Sequence, residues 1–338
     1  MAVYTHLSAE DLAALIREYD VGELVSAKGI AEGVSNSNWL IETTGKDGGG
    51  SRFILTMYER RIDLKELPFF LGLLDHLAAR GCPVPRTIHD RRNQAYRMLG
   101  EKAVALIEFL PGVSVDHPEA EQARSVGAAL AGVHLASADF AATRANGLSL
   151  PSWQDLADDC GEAGLASIDS ALPRIVRDEL AHLQANWPDA LPQAVIHADL
   201  FPDNVLMLGS EVGGLIDFYF ACNDIAAYDL AVTHAAWSFE ADGTFRPAIA
   251  AALVEGYNAV RPLSAAENAA LPLLARGACM RFMMTRAYDW LHTPADALVT
   301  RKDPMDFARR LRFYAEQDGA EQGGQAFPLP AEKSDQTA

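Results

Sequence analysis

One spacing constrains this chain more than anything else in it. Within VIHADLFPDNVLMLGSEVGGLIDFYFACNDIAAYD, from Val195 to Asp229, His197, Asp199 and Asn204 stand as H-x-D-x-x-x-x-N, and Asp217 follows in Ile-Asp-Phe. Apolar runs flank these residues. Ala194–Ile196 precedes them, Val205–Leu208 and Gly214–Ile216 follow, and Gly209 and Gly213 mark a hairpin turn, so strands are predicted at all three places. Leu200–Asp203, with Phe-Pro-Asp inside it, reads as a loop. The pattern therefore places two carboxylates and an amide at strand ends. Any one of these residues alone is an ordinary turn former; the whole set at this spacing is not.

Transfer of a phosphoryl group from ATP requires this inventory. A hydroxyl nucleophile must be oriented and its proton accepted, and the triphosphate charge must be met by magnesium, which takes oxygen ligands and retains waters. The protein-kinase template assigns the parts in this chain order. Asp199 is the expected base, Asn204 and Asp217 the expected Mg2+ ligands, and His197 the residue that holds the loop.

The stretch resembles the catalytic segment of the aminoglycoside phosphotransferase and choline kinase superfamily, small-molecule relatives of the protein kinases. More narrowly, D-L-F-P-D-N-V-L, G-L-I-D-F-Y-F-A-C and Y-D-L-A are similar to the homoserine kinases of the aminoglycoside-phosphotransferase-like type. The resemblance runs from about Ile30 to about Phe313. It implies an α+β, two-lobed protein-kinase-like fold: an N-terminal lobe with a mostly antiparallel sheet, and a larger, mainly helical lobe. The implied substrates are ATP and L-homoserine. The same pattern implies that Asp229 reaches back to backbone groups of the catalytic loop, although a first-turn dipole partner is a plain alternative for it.

Composition bounds the partners. A net charge of −18 over 338 residues argues against nucleic acid and anionic membrane. Cys82, Cys160, Cys222 and Cys279 lie at no metal-ligand spacing and read as reduced thiols. No basic-then-apolar leader opens the sequence and no apolar run approaches a membrane span, so a cytoplasmic location is expected.

The lobes follow in order, as residues 1–107, then 108–317 with a hinge at 108–112, then a tail at 318–338 expected to be disordered. Ser8 and Asp11 approximate the cap of a first helix. Strands are predicted at about Leu24–Ile30, Trp39–Thr44 and Arg52–Tyr58, with Lys46–Gly50 as a hairpin turn. The turn from Ala31 to Asn38 is the expected phosphate lid, through Gly33, Ser35, Asn36, Ser37 and Asn38, whose backbone N–H groups could approach phosphates. The third strand, F-I-L-T-M-Y, puts Thr56 where kinases of this superfamily place a lysine. Homoserine kinases show a similar F-I-L-T, and Arg60, Arg61 or Lys65 could supply the cation instead. Leu64–Arg80 reads as an amphipathic helix, with Pro68 near its first turn. Two more strands, about Ala95–Met98 and Ala103–Ile107, lead to Glu108-Phe109-Leu110 before Pro111-Gly112, the expected adenine-reading hinge.

Alanine-rich helices then dominate, at Glu119–Ser137, Trp153–Cys160, Leu172–Asn186, from Tyr228, and at Ala248–Tyr257, Ala265–Leu291 and Asp306–Phe313. His134 reads as a satisfied core histidine. Homoserine offers a carboxylate, an ammonium and a hydroxyl. Arg281, Arg286 and Asp289 on one helix could supply the opposing charges, with Tyr219 beside the acceptor. The two arginines are five apart, about 140° around a helix, so both cannot point the same way. A choline or ethanolamine kinase would instead want an aromatic box, for which Tyr219, Trp237, Tyr288 and Trp290 are candidates. An aminoglycoside kinase would use surplus carboxylates. A nucleotide-binding pseudokinase fits the absent lysine but not the intact Asp199, Asn204 and Asp217.

Overall fold

The computed structural model describes residues 7–30, 36–59, 63–293, 301–318 and 327. It divides into two compact units. The first comprises Met1–Gly112, Phe140–Ala142 and Gly213–Tyr219; the second comprises Val113–Asp139, Thr143–Val212 and Phe220–Ala338. A cut at 108–112 meets the end of the first segment, but the chain returns to the first unit twice. The second return carries Asp217, so a linear division assigns that residue to the other lobe.

The first unit is built on an antiparallel sheet. Its strands are β1 (Leu24–Ile30), β2 (Asn36–Thr43), β3 (Ser51–Tyr58), β4 (Thr87–Ile88), β5 (Arg97–Leu99) and β6 (Lys102–Glu108), in the order β1-β2-β3-β6-β4 with β5 also on β6. Five of the six are predicted; two-residue β4 is too short to show an alternation. Side chains alternate across the sheet. Leu55 and Met57 of β3, with Val104 and Leu106 of β6, pack on α1 (Ala9–Ile16) through Leu12, Leu15 and Ile16. Tyr58, Ala103, Ala105 and Ile107 pack on the other face against Leu67 and Leu71 of α2 (Leu67–Ala79). The Ser8 hydroxyl caps α1 by accepting the Asp11 N–H at 3.1 Å. Gly81, at φ +77°, ends α2.

β2 begins at Asn36, three residues earlier than its apolar pattern suggests. The ladder pairs Asn36, Ser37 and Asn38 with Tyr58, Met57 and Thr56, so these polar residues extend the strand and are not a turn. Backbone pairing carries the strand on where the side-chain pattern stops.

The second unit holds α3 (Ala120–Ala136), α4 (Leu150–Ile168), α5 (Leu172–Asn186), the strands β7 (Gln193–Ile196) and β8 (Val205–Leu208), then β9 (Glu211–Leu215), whose end belongs to the first unit, β10 (Cys222–Ile225), α6 (Ala226–Trp237), α7 (Pro247–Val260), α8 (Ala265–His292) and α9 (Met305–Gln317). β7 pairs antiparallel with β10, and β8 with β9. Every residue of α6 is buried, and α6 packs against α8, α7 and α3, while α4, α5 and α9 pack on α8. Helix α4 is longer than its apolar pattern implies because it continues through a kink at Gly161, φ +64°. Helices α3 and α7 cross backbone to backbone: a Cβ on Gly127 would lie 2.0 Å from the Leu253 carbonyl oxygen, and one on Gly256 2.0 Å from that of Arg124.

Most of the tail lies outside the described residues. Of its two described members, Asp318 hydrogen-bonds Arg276 and, at 3.2 Å, His182, and Phe327 is buried on the His234 ring. Among the described residues no helix is long and apolar enough to cross a membrane.

Candidate active site

In the second unit the catalytic loop leaves β7 after Ile196. Its first three residues are held through their backbone. The His197 N–H donates to Asp229 Oδ2 and the Ala198 N–H to Oδ1, each at 2.7 Å. The Ala198 carbonyl oxygen accepts Nη1 of Arg281. Ala198 has φ +65°, a left-handed conformation that costs a residue with a Cβ about 1–2 kcal/mol. It is tolerated because both of its peptide groups are tied down by buried, oppositely charged side chains. The Asp199 N–H then donates to His197 Nδ1 at 3.2 Å, so His197 braces the loop from a fully buried position. Trp237 donates its indole N–H to the Leu200 carbonyl oxygen at 2.9 Å.

Asp199 is left half-buried at the mouth of this framework. A single 3-10 turn, Pro202–Asn204, brings Asn204 back to it. Nδ2 of Asn204 donates to the Asp199 carbonyl oxygen at 2.7 Å and approaches Asp199 Oδ2 at 3.3 Å. With its nitrogen so occupied, the amide presents its oxygen elsewhere, as a hard cation requires.

Burial pushes the Asp229 carboxyl upward, but the hydrogen bonds from His134 and the His197 backbone outweigh it and hold the group below its ordinary value of 3.8. His134 is buried, with Nε2 2.9 Å from Asp229 Oδ2 and Nδ1 2.8 Å from the Tyr257 hydroxyl. It is a satisfied core histidine, and Asp229 does reach back to the loop.

In the first unit Asp217 follows β9 at φ +64°, with its side chain exposed. Desolvation foremost pushes up the phenols of Tyr58 and Tyr219; neighbouring Tyr219 comes next for Tyr58, and the Asp217 charge adds to both. Those hydroxyls lie 3.0 Å apart, and Tyr219 packs edge-on against Tyr58 and Phe70. Thr56 is 4% exposed and donates to Asn38 Oδ1 at 2.8 Å. The Ser37 hydroxyl donates to Glu59 at 2.8 Å, and Asn36 is buried. Gly33, Ser35, Arg60 and Arg61 lie outside the described residues; Lys65 is exposed. Sequence reading missed Lys102, whose ammonium pairs with Glu59 just past the end of β3. At the strand exit, the Glu108 carboxylate takes both Arg86 Nη2 at 2.9 Å and Nε at 3.1 Å. Phe109 lies under the Arg52 guanidinium and Leu110 rests on Gly214.

The expected substrate cations are both engaged. Arg281 is 2% exposed, clamped to Ala198 and stacked on Phe282. Arg286 donates to the Asp303 carbonyl oxygen at 3.0 Å and to Asp306 at 3.2 Å, over the Phe307 ring. Asp289 is exposed. Trp237, a candidate for an aromatic box, is buried with its N–H on the loop. Among the described residues no three of His, Cys, Asp and Glu gather into a metal cluster.

Comparison with known proteins follows the same lines. The phosphotransferase enzyme family matches residues 26–263. A homoserine kinase of Gluconobacter oxydans is 51% identical over 316 residues, 93% of this chain and 98% of that protein. One of Methylobacterium radiotolerans is 52% identical over 314 residues, 93% and 96% of the two chains. Among solved structures, the amicoumacin kinase hAmiN, in complex with AMP-PNP, Ca2+ and Ami, superposes with a TM-score of 0.67 at 13% identity, covering 92% of this chain and 95% of that one. A choline kinase of Cryptosporidium parvum gives 0.64 at 12% identity, covering 91% and 95%. At such identities these two share the protein-kinase-like fold.

Proposed function

The chain belongs to the phosphotransferase enzyme family, within its homoserine kinase branch, and from that premise we propose that it phosphorylates L-homoserine with ATP. The product is O-phospho-L-homoserine, made in the cytoplasm for threonine synthesis. The observation that carries the reading is the Asp199–Asn204 pair on a loop whose backbone is fixed by Asp229 and Arg281.

The homoserine hydroxyl oxygen attacks the γ-phosphorus, the bond to the bridging oxygen of ADP breaks, and the hydroxyl proton passes to the Asp199 carboxylate. Rigid placement of that carboxylate matters more than its basicity, because the loose transition state leaves little covalent work to the protein. Asn204 through its amide oxygen and Asp217 through its exposed carboxylate would hold Mg2+. When bound, the ion offsets the phosphate charge. The backbone at 108–112 reads the adenine edge. Asp289 faces the ammonium of the amino acid, whereas Arg281 and Arg286 serve the fold, the first at the Ala198 carbonyl oxygen and the second at Asp306.

An assay coupling ADP release to homoserine, choline, ethanolamine and an aminoglycoside tests the reading. Turnover should appear with homoserine, and Asp199→Asn should reduce it at least about a hundredfold while nucleotide binding persists. Preference for choline, or nucleotide binding without turnover on any acceptor, would overturn it.

A further inference from the structure

A line of hydrogen bonds runs through the second unit from the N-terminal cap of α8 to the catalytic loop. The donor and acceptor inventory fixes the direction of each link. At the loop end, Asp229 is held ionised and only accepts. Oδ1 takes the Ala198 N–H, and Oδ2 takes the His197 N–H and faces His134 Nε2 at 2.9 Å. Nε2 must therefore carry a hydrogen.

At the far end Arg261 only donates. Its Nη2 goes to Glu267 Oε1 at 2.7 Å and its Nη1 to the Tyr257 hydroxyl oxygen at 3.1 Å. With that oxygen already accepting, the phenol hydrogen is directed at His134 Nδ1, 2.8 Å away. Burial pushes the Tyr257 phenol well up, so the hydroxyl keeps its proton. An imidazolium at His134 would aim a second N–H at the same oxygen and orphan the phenol hydrogen in a buried site. Glu267 anchors the line in the fold: its Oε2 accepts the Ser264 N–H and hydroxyl, each at 2.9 Å, which is the cap of α8.

We propose that Tyr257 is a positioning residue for phosphoryl transfer: by donating to Nδ1 it fixes His134 as the neutral Nε2–H tautomer, which steadies Asp229 beneath the two amides that precede Asp199. The inference rests on Asp199 as the group that receives the acceptor's proton. Tyr257 itself touches neither substrate nor Asp199. Its effect is confined to how sharply the loop is held.

Nitrogen-15 NMR of the full-length protein, with His134→Gln to assign the ring, reads the tautomer directly. A neutral ring protonated at Nε2 is expected at neutral pH; an Nδ1–H ring or an imidazolium would overturn the proposal. This result stands whether or not homoserine proves to be the substrate. Steady-state kinetics supply the second arm. Tyr257→Phe, which keeps the ring and removes the hydroxyl, should lower kcat about tenfold and leave both KM values within about twofold. His134→Gln, which retains an N–H for Asp229, should keep more activity than His134→Phe. An unchanged kcat in Tyr257→Phe, or equal losses in the two His134 variants, would refute the positioning role.

Discussion

Asn204 donates its amide nitrogen to the Asp199 carbonyl oxygen at 2.7 Å, and the same nitrogen stands 3.3 Å from the Asp199 carboxylate. One contact thus orients two parts of the site: it turns the amide oxygen outward and steadies the carboxylate. Asn204→Asp keeps an oxygen ligand but replaces that donor with a second negative charge against Asp199. We expect kcat to fall about ten- to a hundredfold, with Mg-ATP affinity changed far less, as separated by single-turnover kinetics and calorimetry.

Asp229 should carry stability as well as geometry. Its carboxylate accepts three hydrogen bonds in a fully buried position. Asp229→Asn turns an amide N–H toward donors and should cost about 2–5 kcal/mol by denaturant unfolding. The sign with pH follows from the folded value lying below the ordinary 3.8. The contribution is complete above 3.8 and is lost as pH falls through the depressed folded value, so the gap between wild type and variant should narrow only in strong acid.

Thr56 stands where a lysine is expected, and it is nearly fully buried, with its hydroxyl on Asn38. Restoring the lysine would place an ammonium among Ile54, Tyr58 and Tyr219. Thr56→Lys should destabilise the protein by about 2–5 kcal/mol, seen as a large fall in Tm. Recovery of the wild-type Tm on adding ATP would show instead that this position faces the phosphates.

The two arginines of α8 should separate cleanly. Arg281→Ala leaves the strained Ala198 carbonyl without its partner, so kcat should fall at least tenfold or so with KM for homoserine little changed. Arg286→Ala breaks an ion pair to Asp306 that is mostly shielded from solvent, and should cost about 1 kcal/mol with kcat near wild type. A steep rise in homoserine KM in either variant would mean that its guanidinium meets the substrate carboxylate directly.

Where local pattern decided structure, the sequence was legible. The strand Leu24–Ile30, the helix Leu172–Asn186 and the Ser8 cap fall where apolar period and capping chemistry put them. The return of Asn204 to Asp199 was legible too, because the spacing H-x-D-x-x-x-x-N, with Pro202 inside it, forces a tight turn. What escaped was set by distant partners. Asn36–Asn38 read as a turn until β3 is seen to pair with them. Lys102 has no sequence neighbour that announces Glu59, 43 residues away. Trp237 stood as a candidate for the aromatic box of a choline kinase because nothing local says that its N–H goes to Leu200.

The crossing of α3 and α7 at Gly127 and Gly256 bears on which changes this enzyme tolerates. His134 lies on one of these helices and Tyr257, next to Gly256, on the other. A single added methyl at either glycine would meet a carbonyl oxygen 2.0 Å away and wedge the helices apart, stretching a hydrogen bond that is 2.8 Å long. Some of the positions least open to substitution should therefore bear no functional group at all. They would surface in a saturation screen as activity-dead alanines far from Asp199 in sequence, easily mistaken for contacts with a ligand.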